Sequence, residues 1–118
     1  LPQGVAPELR VTLAGIAHGA GGATTLVRVQ RNIVVSLAVE YPRSGEFLSY
    51  QAEVFSSSGK LEHTVAVPSE QPGNMAVLAF RAGALEPGKH SVVIIGRLSD
   101  GSEKEVVRRN FELQFTSK

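Results

Sequence analysis

Residues that could do chemistry are few in this chain and far apart. Histidine occurs at His18, His63 and His90. A catalytic or metal-bound imidazole needs partners in reach, such as a second histidine two or four positions away or a carboxylate that orients the ring. No histidine here has that spacing. Glu62 directly precedes His63, but successive side chains on a strand point to opposite faces, which predicts that the two cannot share a ligand sphere. The three histidines therefore read as isolated surface or rim residues. The chain has no cysteine, so disulfides and thiolate metal sites are excluded. The expected metal and cofactor complement is none.

Other constellations fail on similar grounds. Small β-sandwiches with a Pro-Gly turn before a late strand include periplasmic copper carriers that use His and Met ligands. This chain has one methionine, Met75, and no N-terminal histidine, so copper is not expected. Ser56, Ser57 and Ser58 lie in a Ser-Ser-Ser-Gly tract where hydroxyls serve turn geometry, and no GxSxG elbow is present. A glycosidase pair would have to be drawn from Glu40, Glu46, Glu53 and Glu62, which fall at strand positions typical of solvent. The glycine-rich stretch from Gly15 to Ala23 lacks the GxxxxGK[ST] order of a phosphate cradle, and no helix signal follows it. It reads as a loop. No catalytic residue emerges, and the chain reads as a non-enzyme.

A sandwich that binds sugars commonly stacks them on exposed aromatics. Two tyrosines, five phenylalanines and no tryptophan are available. Tyr41, Tyr50, Phe111 and Phe115 fall in phase with core residues. Phe47 and Phe55 fall out of phase, on one face of one strand, and are candidates for an interaction surface.

The elements that must position these residues are strands. Leu9, Val11 and Leu13 alternate with Arg10 and Thr12 over residues 8–14, and a second strand is expected over 24–30. The cleanest alternation is Ile33, Val35, Leu37, Val39 and Tyr41. A strand over 47–55 places Leu48, Tyr50, Ala52 and Val54 on one face and Ser49, Gln51 and Glu53 on the other. Ser56 to Gly59 then turns it into a hairpin with residues 60–67. Further strands are expected over 75–80, 90–97 and 104–115, with one helical turn at 81–85.

The stretch from Leu85 to Gly101 organises the rest. It enters through Pro87-Gly88 and leaves through Asp100-Gly101, both turn signals. His90, Val92, Ile94 and Gly96 share one face, while Val93 and Ile95 make the other apolar as well. That pattern predicts a central strand. If Val93 and Ile95 are solvent-exposed, they become the best interaction site. The whole reads as an all-β, immunoglobulin-like or fibronectin-like two-sheet antiparallel sandwich of about seven or eight strands. Strictly antiparallel neighbours are expected, because parallel pairing needs a long crossover.

Length and charge bound the partners. At 118 residues the chain suits one domain, with residues 1–7 as linker and 8–118 as the sandwich. A net charge of +1, with Lys and Arg scattered among Glu, argues against nucleic acid. The Arg108-Arg109 pair reads as solvated strand surface. No stretch approaches the length needed to span a bilayer, so a membrane enters only through segments absent from this chain. The start at Leu1 and the linker-like Leu1-Pro2-Gln3-Gly4 predict a segment of a longer protein. An edge strand could pair between two chains, which leaves a homodimer open.

Three stretches carry a family resemblance: Phe47-Leu48-Ser49-Tyr50-Gln51-Ala52-Glu53-Val54 followed by Ser58-Gly59-Lys60; Leu85-Glu86-Pro87-Gly88-Lys89-His90-Ser91-Val92; and Phe111-Glu112-Leu113. The order resembles the extracytoplasmic C-terminal β-sandwich region of bacterial, acidobacterial-type membrane-anchored proteins whose N-terminal part is zinc-finger and anti-sigma-factor-like. His90 stands where that pattern usually has tyrosine. The resemblance implies a periplasmic or cell-surface location, a sensory or interaction role with a protein or cell-envelope ligand, and no catalytic residues. The alternative expectation is a structural, accessory or carbohydrate-binding module of a secreted enzyme or adhesin.

Overall fold

A computed structural model describes residues 8–13, 24–42, 45–67 and 75–116. These form β1 (Glu8–Leu13), β2 (Thr24–Val29), β3 (Val34–Glu40), β4 (Phe47–Ser56), β5 (Leu61–Val67), β6 (Met75–Arg81), β7 (Gly88–Leu98) and β8 (Glu103–Phe115), with a 3-10 turn at Ala82–Ala84 before β7. The expected Gly15 to Ala23 loop and the 1–7 linker lie outside the described residues.

The strands form a three-stranded sheet in the order β1-β3-β6 and a five-stranded sheet in the order β2-β8-β7-β4-β5. The long apolar stretch is thus central, with β4 on one side of β7 and β8 on the other. Alternation in β3 puts Val35, Leu37 and Val39 in the core, and Tyr41 follows them there. Leu78 and Phe80 of β6 join them from the same sheet, and Ala52, Val54, Val92, Ile94, Phe111 and Leu113 meet them from the other. Each fully buried Val or Leu among these contributes about 2 kcal/mol of transfer free energy.

The hairpins follow the turn chemistry of the sequence. Gly59 holds a φ of 89° while its N–H donates to Ser56, and Gly101 holds 89° while its N–H donates to Leu98. Only glycine adopts such φ values freely, so both turns are fixed by one residue type.

Strictly antiparallel pairing does not hold. β1 pairs with β3 in parallel, and so does β2 with β8. The crossover that parallel pairing requires is present in another form: β2 lies in the opposite sheet and carries the chain between β1 and β3. A strand of the facing layer thus does the work of the usual crossover helix. Between β2 and β8 the intervening chain is the rest of the sandwich.

The space between the sheets has two ends. The lower end is where β3 and β7 begin and β4 and β6 finish, as the ring contact between His63 and Phe80 confirms. The upper end carries Tyr41 and Tyr50.

Candidate binding surface

Three β-bulges decide where the side chains point. In β4, the register passes from Phe47 opposite Leu98 to Ser49 opposite Arg97, leaving Leu48 as the extra residue. In β5, it passes from Leu61 opposite Phe55 to His63 opposite Val54, leaving Glu62 extra. In β8, Val106 is extra between Glu105 and Val107. A bulge re-aims the side chains around it and inverts the alternation beyond it.

The first bulge corrects the reading of Phe47 and Leu48. Leu48 is 66% exposed rather than inward. Phe47 instead turns in, its ring 5.5 Å from that of Tyr50 and lying over Gly96, where an added Cβ would come within 2.5 Å of Phe47 Cδ1. Phe47 and Phe55 therefore do not share a face, and Phe47 leaves the candidate surface.

The second bulge corrects the reading of the histidines. Glu62, turned inward, places Oε1 2.8 Å from Nε2 of His90, with side chains 8% and 1% exposed. His90 Nδ1 lies 3.0 Å from the Gly88 carbonyl oxygen, and the ring stacks on Phe111 at 5.1 Å. A carbonyl only accepts, so Nδ1 carries a proton, and Nε2 is left facing the Glu62 carboxyl. The approach to Glu62 is close but off the line of a hydrogen bond, and both facing atoms are buried. His90 is thus no surface histidine. Its side chain is almost wholly withdrawn from solvent. His63 is also drawn toward the core, edge-on to Phe80, with a buried Nε2 that has no partner among the described residues. Met75 pairs with Glu40 at the upper end, away from both rings. Among the described residues no group of three or more His, Cys, Asp or Glu side chains could hold a metal ion. His18 lies outside them.

The outer face of the five-stranded sheet is where the remaining candidates sit. Val93 is 2% exposed, which removes it from an accessible surface. It lies in register between Glu53 and Arg108, and Ile95, half-buried, between Gln51 and Glu105. These long side chains form a polar layer over the apolar strip. Gln51 donates to Glu53 at 2.8 Å, and Arg108 grips Glu105 with two hydrogen bonds of 3.2 and 3.0 Å. That grip raises the Arg108 pKa above its ordinary value, chiefly through the Glu105 hydrogen bonds. The covering of Val93 therefore comes from strands of the same sheet.

Phe55 keeps its place. It stands half-buried at the lower corner of this face, directly opposite Leu61, which is 48% exposed. Beside it runs a cleft of about 370 Å³ lined by Phe55, Ser56, Ser57, Gly59, Ser91 and Arg108. A second cleft of about 300 Å³ shares Ser57 and Ser91 and adds Thr24, Lys89, His90 and Asn110. Ser91 Oγ donates to Asn110 Oδ1 at 3.0 Å within it. The two form one shallow surface of hydroxyls, an amide and two cations beside an apolar corner, a composition suited to recognition.

Leu61 escaped sequence reasoning because regular alternation gives no sign of the bulge that sets it beside Phe55. The Arg108-Arg109 pair divides. Arg108 is surface, but Arg109 lies opposite inward-facing Val92, half-buried, with Nη1 donating to the Arg108 carbonyl at 3.0 Å and Nε buried without a described partner. At the β7–β8 turn, two hydrogen bonds from Ser102 hold the Asp100 carboxyl below its ordinary value.

No protein-family model matches the sequence, and no curated protein matches it. Solved structures do share the fold. CopC from Methylosinus trichosporium OB3b is 18% identical, with a TM-score of 0.56 over 81% of this chain and 88% of that one. The NK cell receptor Nkp44 is 12% identical, with a TM-score of 0.58 over 80% and 99%. The N-terminal domain of phage TP901-1 ORF48 is 13% identical, with a TM-score of 0.53 over 94% and 99%. At these identities the likeness establishes architecture: an immunoglobulin-like β-sandwich. No helix among the described residues is long and apolar enough to cross a membrane.

Proposed function

We propose that this chain is a non-enzymatic, extracytoplasmic binding module of a larger, membrane-anchored regulatory protein. Its partner is a protein, held on the outer face of the five-stranded sheet. The observation that carries this reading is the corner where Phe55 and exposed Leu61 meet a cleft ringed by Ser57, Ser91, Asn110 and Arg108. An apolar anchor bordered by polar groups is the usual anatomy of a protein interface. A receptor domain built on the same fold supports it, as does the sequence resemblance to anti-sigma-factor-like proteins. The buried position of His90 and Glu62 supports a structural rather than a catalytic use of this close pair.

Photocrosslinking tests the reading. Phe55→p-benzoylphenylalanine, made in the cells that produce the protein, should yield adducts to another protein. The same substitution at Val77, exposed on the three-stranded sheet, should yield few. Equal yields at both positions, or none at either, overturn the assignment of this face. Retention on purified envelope polysaccharide, lost in Phe55→Ala, would instead favour the accessory carbohydrate-binding role.

A further inference from the structure

Of the edges left open among the described residues, three expose charge. β1 exposes Glu8 and Arg10, β2 exposes Arg28, and β6 exposes Arg81. Such charges discourage a second chain from extending a sheet. β5 differs. Its exposed residues are Leu61, Thr64 and Ala66, none charged. Its one acidic side chain, Glu62, is withdrawn into the core by His90. The bulge, the inward Glu62 and exposed Lys60 blunt only the start of this edge, and the stretch from His63 to Val67 presents no charge along it.

We propose that β5 pairs antiparallel with β5 of a second copy of this chain about a two-fold axis. A second copy is the occupant because the edge is complementary to itself. Two-fold pairing brings no like charges together, and it sets Thr64 of one copy opposite or diagonal to the same position or its neighbour in the other. It also covers Val65, which is half-buried against the core at this open side, and supplies partners to a row of backbone groups that β4 leaves unused. The bulge at Glu62 confines regular pairing to the stretch from His63 to Val67. The result joins the two five-stranded sheets into one and leaves the outer face with Phe55 free. The inference does not depend on the role proposed for that face.

Sedimentation of the whole chain decides it. The wild type should sediment at twice its 12.5 kDa mass at high micromolar concentration. Thr64→Glu and Thr64→Lys, each verified as folded by circular dichroism, should each raise the dimer dissociation constant roughly tenfold or more by like-charge opposition. An equimolar mixture of the two variants should recover the dimer. A monomeric wild type overturns the proposal, as does a dimer indifferent to both substitutions or a mixture that stays monomeric.

Discussion

The two ends of the inter-sheet space are closed in different ways. At the upper end three rings do it: Tyr41 lies 4.9 Å from Tyr50, and Tyr50 lies 5.5 Å from Phe47, which in turn covers Gly96. At the lower end the closure is polar, with His90 stacked on Phe111 and set against Glu62. Both ends lean on a bulge, at Leu48 above and at Glu62 below. The difference lies in what failure costs. Rings held by shape tolerate loss of a polar atom, whereas a buried polar group whose facing partner is removed is left with its full desolvation cost.

Three substitutions press on that contrast. The largest effect should come from Glu62→Ala, which strands His90 in the core and should cost about 3 kcal/mol in urea denaturation at an unchanged slope. Replacing both members, Glu62→Leu with His90→Phe, should recover most of that stability. A double variant no more stable than Glu62→Ala would mean that the contact between these two side chains is not what closes this end. Next comes Gly96→Ala, expected to cost about 2 kcal/mol because the new methyl meets the Phe47 ring. In a Phe47→Leu background the same change should cost less than about 1 kcal/mol, and equal costs in both backgrounds would show that the ring is not the obstacle. Smallest is Tyr41→Phe. The Tyr41 hydroxyl is buried without a described partner, so removing it should leave stability within about 0.5 kcal/mol of the wild type or slightly raised. A loss of several times that would place a strong polar interaction at the upper end too.

The sequence made the strands and turns legible because alternation and glycine placement are local signals. The β3 pattern, the Ser56 to Gly59 hairpin, the Asp100-Gly101 turn and the central position of β7 all follow from neighbours within a few residues. The bulges do not. One extra residue leaves each half of a strand looking regular while reversing which face it presents. That is why Phe47 and Leu48 exchange roles, why Glu62 reaches His90, and why Leu61 joins Phe55. The covering of Val93 was hidden for another reason: it depends on Glu53 and Arg108, brought together only by sheet order. The parallel pairs are not legible locally because the crossover they need lies in the facing sheet.

The pairing of β2 with β8 has a consequence for how the molecule comes into being. Thr24 sits opposite Asn110 and Val29 opposite Phe115, so an early strand of this sandwich has no partner until β8 has been synthesised. The hairpin of β7 and β8 joins residues close in sequence, whereas β2 must wait and close a loop spanning nearly the whole sandwich. During synthesis, then, β2 is an unmatched strand carrying exposed Leu26, and the fold is completed at its beginning only after it has been completed at its end.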